Sequence, residues 1–110
     1  MTPAEILVVL AKDTGFMVRH NVAQNPTTPP EVLVILAKEA FMIRANVARN
    51  RNTPPELLKE LASDDNAEVR LSVVLNPSAP LDLNSRINLL KSFATEGDEY
   101  GYGRGFLAAN

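Results

Sequence analysis

The feature that most constrains this chain is a short motif that recurs along it: TPAE begins at residue 2, and TPPE begins at residues 28 and 53. A threonine that accepts a hydrogen bond from the third residue of a helix, with a glutamate that reaches back to it, forms a capping box. Proline suits the first helical position because its missing N–H would have no partner there. The motif therefore predicts helices that open at Thr2, Thr28 and Thr53.

Two further columns of residues keep the same period of 25 or 26 residues: Arg19, Arg44 and Arg70, and then Asn25, Asn50 and Asn76. Periods of about 20 to 50 residues are typical of stacked repeats, in which neighbouring units bury a core that one unit cannot bury alone. We therefore expect one domain over residues 1–95 and a tail rich in Gly and Tyr over residues 96–110. The repeats of the domain are 2–27, 28–52, 53–78 and a degenerate fourth over 79–95.

Each unit predicts two short helices. The first runs from its cap to an alanine at position 11, 37 or 62, and the second begins near Val18, Ile43 or Val69 and ends at the asparagine. Asparagine tolerates the left-handed conformation that often ends a helix. The second helix spans only about seven residues, so we expect parts of it to be 3₁₀. No segment alternates with period two, which predicts an all-α fold: a short right-handed or irregular α-solenoid of about three and a half repeats.

The units also resemble a known family. The strings VRHNVAQNPTTPPEVLVILA, IRANVARNRNTPPELLKELA and VRLSVVLNPSAPLDL follow the pattern VRxxVAxNPxTPxELLxxLA of the leucine-rich repeat variant (LRV) family, which is similar in style to HEAT and armadillo repeats. The resemblance covers residues 2 to about 83. It implies a curved solenoid of alternating α- and 3₁₀-helices that serves as a binding scaffold without catalysis. Some members carry a separate Cys-rich segment for an iron–sulfur cluster, which does not carry over to this chain.

Composition excludes several classes of function. The chain has no cysteine, which excludes disulfides, thiolate metal sites and cysteine nucleophiles. His20 is the only histidine, and no other residues are spaced to complete a metal site with it. No apolar run approaches the ~20 residues of a membrane span, and the N-terminus lacks the basic segment that begins a signal peptide. We therefore expect a cytoplasmic protein that is not an enzyme and uses no cofactor.

The arginine and asparagine columns are interpreted as structural ladders. Each arginine follows an acid of its own unit: Asp13 precedes Arg19, Glu39 precedes Arg44, and Asp64 or Asp65 precedes Arg70. A cation near a helix N-terminus opposes the helix dipole, so we expect these carboxylates to pair with the arginines, which also cap carbonyl groups. An anion-binding stripe is the alternative, and the local acids weaken it. The asparagines are expected to stop helices and to bond loop backbone.

Apolar residues stand in the first two units where the third unit has Lys59, Glu60, Ala67 and Glu68. If the third unit shows which positions face water, eight apolar side chains are candidates for a partner-binding surface: Val8, Val9, Phe16, Met17, Val34, Ile35, Phe41 and Met42. Four such side chains would expose about 400 Å², an area that usually marks an interaction site. The alternative is that these residues pack against one another across repeats.

Two other features favour an interface. A solenoid needs capping at both ends, and the first unit begins at Thr2 with no polar cap helix before it. The tail contains Tyr100, Tyr102 and Phe106, half of the six aromatic residues of the chain. The tail is either a disordered end or a segment that orders on a partner through these three residues.

These observations predict a protein–protein interaction module or a small accessory subunit, whose partner is another protein or a second copy of the chain. The alternative is nucleic-acid binding through a basic surface formed by Arg19, His20, Arg44, Arg49 and Arg51. Residues 1–50 carry five basic and four acidic side chains, a net charge too small for a surface that follows a phosphate backbone. We expect neither a membrane nor a small-molecule substrate as partner.

Overall fold

The computed structural model describes the backbone of residues 2–12 and 15–99, and the side chains of this part as far as Thr95. The described residues form seven α-helices and no strands, so the predicted all-α fold is confirmed. The helices are α1 (Pro3–Ala11), α2 (Phe16–Gln24), α3 (Pro30–Leu36), α4 (Phe41–Arg49), α5 (Pro55–Leu61), α6 (Ala67–Val74) and α7 (Leu83–Glu99). Each of the first three units contributes one pair of helices, as the repeat predicted.

The first helix of each unit begins where its prolines allow. α1 begins at Pro3, and the Thr2 hydroxyl caps it by accepting a hydrogen bond of 3.2 Å from the backbone N–H three residues later. α3 begins only at Pro30, and its N-cap is Pro29, so the predicted cap at Thr28 is wrong. A residue that precedes proline avoids the helical conformation. Pro29 therefore stays extended in TPPE, with a ψ of 147°, whereas Pro3 precedes alanine in TPAE.

The displaced threonines bind the end of the preceding helix instead. α5 begins at Pro55, so the predicted cap at Thr53 is wrong for the same reason. The Thr28 hydroxyl donates to the carbonyl of Val22 at 2.6 Å, and the Thr53 hydroxyl donates to that of Val47 at 2.5 Å. Both threonines are buried. Each one is therefore a second donor to a carbonyl of the last helical turn, which also accepts from the backbone N–H of the asparagine that follows the helix.

The second helix of each unit is longer than predicted. α2 and α4 have nine residues each and α6 has eight, because each begins about two residues before its predicted start. The 3₁₀ segments expected from the short length and from the family resemblance are absent from the described residues. A helix of this length completes several hydrogen bonds between residues four apart, which are better aligned than those of a 3₁₀ turn.

The helices form two layers with the core between them. α2, α4 and α6 pack side by side and α7 continues this layer, while α1 and α3 pack against each other in the second layer and α5 packs on α4 and α6. The largest fully buried side chains of the core include Leu33, Leu36, Ile43 and Leu58. The valines predicted to be buried in the second helices are buried as expected: Val22, Val47 and Val73.

The asparagines join each unit to the unit before it. Nδ2 of Asn50 donates to the carbonyls of Ala23 and Asn25 at 2.8 and 2.9 Å, and Nδ2 of Asn76 donates to those of Ala48 and Asn50 at 2.9 and 3.0 Å. The side-chain oxygen of each asparagine accepts from the N–H two residues later, which confirms the predicted bond to loop backbone.

The predicted left-handed helix stop is wrong for the first two asparagines of the column. Asn25 and Asn50 have φ values of −72° and −73°, which are extended conformations. The extended backbone turns the chain toward the next unit, and the side chain of Asn50 can then reach back to the previous one. Asn25 also precedes a proline, which independently favours the extended conformation.

The degenerate fourth unit contains a single long helix. α7 has 17 residues and packs on α6, and its Phe93 is buried at 5% exposure. Arg86 donates to the carbonyls of Val74 and Ala79 at 2.6 and 3.0 Å and so fixes the start of α7 to the end of the third unit. α7 ends at Glu99, so the helix continues beyond the predicted domain boundary at residue 95.

Candidate interaction surfaces

Six of the eight predicted candidate side chains are exposed, at fractions between 41% and 60%: Val9, Met17, Val34, Ile35, Phe41 and Met42. We call these residues the apolar edge. Four of them lie in the second unit, where the end of α3 and the start of α4 are joined by the short connection 37–40. The corresponding Lys59, Glu60 and Glu68 of the third unit are also exposed, whereas the fourth reference residue, Ala67, is half-buried.

Two of the eight candidates do not belong to the apolar edge. Val8 and Phe16 are half-buried and pack against the core, so the expectation that they are exposed is corrected. The centroid of the Phe16 ring lies 6.0 Å from that of the His20 ring, because residues four apart share one face of α2. Val8 lies on α1, which packs against both α2 and α3.

The arginine column forms ion pairs, but each pair joins two units. Nε of Arg19 donates to a Glu39 oxygen at 2.6 Å, and two nitrogens of Arg44 donate to the two Asp64 oxygens, both at 2.9 Å. The predicted pairing of Arg44 with Glu39 of its own unit is therefore wrong, because the Arg44 side chain extends along the stack to Asp64 of the next unit, while Glu39 pairs with Arg19. The predicted carbonyl caps are confirmed: Arg44 donates to the carbonyl of Glu39 at 2.8 Å, and Arg70 donates to that of Asp64 at 2.6 Å.

The Arg44–Asp64 pair changes the protonation behaviour of both groups. The hydrogen bond with Asp64 raises the pKa of the Arg44 guanidinium. Burial alone would raise the pKa of Asp64, but hydrogen bonds from Arg44 and from the backbone N–H of Asn66 outweigh it and lower this pKa. Asp65 lies 3.2 Å from Arg44 but its side chain is 92% exposed, so water screens that contact.

The acids of the ladder neutralise the arginines that the anion-binding alternative requires. Glu39 and Asp64 occupy the guanidinium groups of Arg19 and Arg44. Nε of Arg70 donates to the Ser92 hydroxyl of α7 at 3.2 Å, so the last arginine of the column also contacts the fourth unit. The column therefore holds the stack together, as its structural interpretation predicted.

A polar groove lies where α2 and α4 end and where the chain leaves α6. Its volume is about 550 Å³, and a smaller depression of about 280 Å³ shares Gln24, Arg49 and Asn50 with it. Its polar lining consists of two arginines and four side-chain amides: Gln24, Asn46, Arg49, Asn50, Arg51 and Asn76. We call this surface the polar groove. It lies at the opposite ends of α2 and α4 from Met17, Phe41 and Met42.

Sequence reasoning found only part of the polar groove. The sequence indicated Arg49 and Arg51 only as part of a nucleic-acid surface, and it did not single out Asn46 for binding. One pattern in the sequence does mark the groove. Arg51 stands where the first and third units both have proline, Pro26 and Pro77, so the second unit departs from the repeat by adding a charge.

A family comparison agrees with this architecture. Residues 19–73 match the model of the Leucine Rich Repeat Variant domain. The chain belongs to the leucine-rich repeat variant family. The match confirms the resemblance seen in the repeated strings and runs from the first arginine of the column to the core of the third LRV unit. No curated protein and no solved structure matches the chain.

Some predicted features of the LRV chain are not seen in this structure. Asp13 and the tail residues Tyr100, Tyr102 and Phe106 lie outside the described residues. Within the described residues, no group of three or more His, Cys, Asp or Glu side chains is arranged to hold a metal ion. None of the helices described here is long and apolar enough to cross a bilayer. The Nδ1 atom of His20 is buried without a hydrogen-bond partner.

Proposed function

We propose that this LRV chain is a non-catalytic protein–protein interaction module, or a small accessory subunit, that binds through the apolar edge. The observation that carries the proposal is the exposure of six apolar side chains at positions that hold charged or small residues in the third unit. Together they present roughly 500 Å², which is in the range of functional surface patches. Covering this area contributes about 12 kcal/mol at about 25 cal/mol per Å², and the costs of association offset much of it.

The proposed partner is another protein or a second copy of this chain, in the cytoplasm. Val9 of α1 and Ile35 of α3 occupy equivalent positions, and α1 and α3 pack against each other, which supports one continuous surface. Ile6 adds to it: this residue is 44% exposed, whereas its counterparts Val32 and Leu57 are 1% and 9% exposed. Tyr100, Tyr102 and Phe106 of the tail are proposed as further contacts.

We do not propose nucleic-acid binding. Arg19 and Arg44, two of the five residues on which that alternative rests, are paired with carboxylates in the structure. The chain also has a net charge of −2. A protein that depends on phosphate contacts needs several unpaired cations on one surface.

The test replaces Val9 and Ile35 by lysine and measures the solution mass by light scattering over a concentration series. Leu75→Lys/Leu83→Lys is the matched control, because these residues are 59% and 72% exposed and lie outside the apolar edge. For a self-associating chain, we expect Val9→Lys/Ile35→Lys to be monomeric and the control to keep the wild-type mass. For a chain that binds another protein, a cross-linked complex forms with the wild type and the control and is lost in the Val9→Lys/Ile35→Lys variant.

Two outcomes contradict the proposal. If both double variants associate like the wild type, the apolar edge is not the binding surface. If Val9→Lys/Ile35→Lys unfolds while the control stays folded by circular dichroism, the edge residues belong to the core, as the packing alternative held.

A further inference from the structure

The second LRV unit places a buried amide without a hydrogen-bond partner in the lining of the smaller depression of the polar groove. Asn46 is only 8% exposed, and its Nδ2 atom has no hydrogen-bond partner. A buried donor without a partner costs free energy, which a bound acceptor would recover. Asn46 lines the depression that Gln24 and Arg49 also line. The structure therefore contains a donor that is placed in a groove and unused.

The equivalent positions of the other units are not unpaired in this way. Asn21 is exposed to water, and the hydroxyl of Ser72 donates to the carbonyl of Glu68 at 2.8 Å. Asn50 and Asn76, which also line the groove, use their Nδ2 atoms within the asparagine ladder. Asn46 is thus the groove asparagine whose side-chain nitrogen has no hydrogen-bond partner within the described residues.

The charge of the groove determines the kind of ligand. Arg49 and Arg51 are exposed and form no ion pair within the described residues, in contrast to Arg19 and Arg44. Carboxylates are absent from the residues that line the groove. Two guanidinium groups without local acids favour an anionic partner, and their planar geometry suits carboxylates.

The amides distinguish a peptide from a simple anion. The side chains of Asn46 and Gln24 each carry a donor and an acceptor, and the peptide group presents the complementary acceptor and donor. The groove runs from the first to the third unit, from Gln24 to Pro77, so it is longer than a single small anion requires. We propose that the polar groove binds an extended acidic peptide segment of a partner protein, with its carboxylates on Arg49 and Arg51 and its main chain on Asn46 and Gln24.

The same helix face also offers an apolar contact. Met42, Asn46 and Arg49 are spaced by four and three residues, so they lie along one face of α4. Met42 is 47% exposed, and Met17 and Gln24 occupy the corresponding positions on α2. Methionine adapts to varied apolar side chains. We therefore expect the bound segment to have an apolar residue next to its acidic ones, at the end that points toward the apolar edge.

The test is a peptide array probed with the full-length chain. Each acetylated eight-residue peptide carries two glutamates at varied spacing beside one leucine, and a matched array replaces both glutamates by glutamine. We expect selected Glu peptides to bind at least about tenfold more tightly than their Gln counterparts, because charge-assisted hydrogen bonds are lost in the latter. The dissociation constants of selected peptides are then measured by calorimetry. Inorganic phosphate and a single-stranded oligonucleotide are separate probes, and tighter binding of either one overturns the proposal.

Variants locate the binding site. Arg49→Gln/Arg51→Gln is expected to weaken the selected peptide at least about tenfold, and Asn46→Ser about threefold or more, since serine already occupies the equivalent position 72. The control Lys38→Gln/Lys59→Gln removes the same charge from exposed sites outside the groove, in the connection between α3 and α4 and on α5, and is expected to change affinity less than about twofold. In an NMR titration of the wild-type chain with the selected peptide, we expect the side-chain amide signals of Asn46 to shift.

The proposal is overturned if the control and Arg49→Gln/Arg51→Gln lose affinity equally, if no Glu peptide exceeds its Gln counterpart, or if the Asn46 amide signals do not move at saturation. These outcomes do not depend on Val9 and Ile35, the two residues of the apolar edge that the test of the proposed function replaces. The Val9→Lys/Ile35→Lys variant has an intact groove and is expected to bind the same peptide within about threefold of the wild type.

Discussion

The Asn76 side chain makes three hydrogen bonds although only 1% of the residue is exposed. Two of them cross to the previous unit, and the third fixes the loop that follows α6. A side chain of this kind satisfies buried backbone carbonyls that lie beyond the reach of their own helices. Single residues therefore determine how closely one unit can approach the next.

Replacing Asn76 by alanine removes these bonds, and the Ala48 carbonyl loses its donor, whereas the Asn50 carbonyl keeps the bond from the backbone N–H of Thr53. We expect the free energy of unfolding to fall by about 2 to 4 kcal/mol, since each of the three lost bonds contributes about 1 kcal/mol and a buried acceptor loses its donor. Urea denaturation at pH 7 measures the change. Asn25→Ala is the matched control, because the side-chain contacts of Asn25 in the structure are to Thr27 of its own loop. An equal loss in both variants would show that the cross-unit bonds add nothing to stability.

Helices are joined to their neighbours by the ion pairs of the arginine column. Arg44 lies in α4, and Asp64 lies in the connection between α5 and α6, so their two bonds of 2.9 Å fix the third unit onto the second. The side chains are 20% and 11% exposed, so water screens the pair less than a surface ion pair.

The stability that Asp64 contributes depends on pH. Because its pKa is lower in the folded state than its ordinary value of 3.8, the contribution is present above that value and is lost as the pH falls through the folded-state pKa. We expect Asp64→Asn to be about 1 to 2 kcal/mol less stable than the wild type at pH 7, with a difference that shrinks below about pH 4. Chemical denaturation at several pH values measures this. A pH-independent difference, or an equal effect of Asp65→Asn at its 92% exposed position, would contradict the assignment.

The helices were predictable from sequence because the repeat fixes their number and order, but their ends and partners were not. The recurrence of threonine at the equivalent positions of the units was visible in the sequence. At Thr28, however, two consecutive prolines delay the start of the helix, so the threonine hydroxyl binds the Val22 carbonyl instead of capping α3. The acid near Arg44 was visible as well. Which of two acids the side chain reaches depends on the stacking of units in three dimensions, and sequence spacing does not contain that information.

For the candidate surfaces, sequence reasoning succeeded where the units could be compared position by position. The substitutions at Val9, Met17, Val34, Ile35, Phe41 and Met42 marked exposed positions correctly. The prediction that Val8 is exposed was wrong, because the sequence does not show which of two adjacent residues of a helix turns toward a neighbouring helix and which turns toward water. The unpaired state of Asn46 could not be predicted, because it depends on the groups that surround the side chain. Asn21, the same residue at the equivalent position of the first unit, is exposed instead.

At the scale of the whole molecule, α7 completes the layer that α2, α4 and α6 begin. Phe93 is 5% exposed, and Arg86 binds two carbonyls of the third unit. The fourth unit has lost the repeat motif, but it covers the end of the stack and is therefore part of one folded body.

Replacing Phe93 by alanine tests whether α7 belongs to that body. We expect a loss of about 3 to 5 kcal/mol in the free energy of unfolding, because a large buried side chain leaves a cavity. Thermal and urea unfolding measure the loss. Leu83→Ala, at a position that is 72% exposed on the same helix, is the control and should change stability by less than about 0.5 kcal/mol. If the two variants are equally stable, α7 does not contribute to the cooperative unit.

The reach of the asparagine ladder has a consequence for the order in which the chain folds. Its longest bond, from Asn76 to Ala48, spans 28 residues, and the arginine pairs span 20. Contacts this local in sequence favour fast assembly. A nascent chain can therefore dock each unit as soon as that unit emerges from the ribosome, so the molecule can build from its N-terminus while its last helix is still being synthesised.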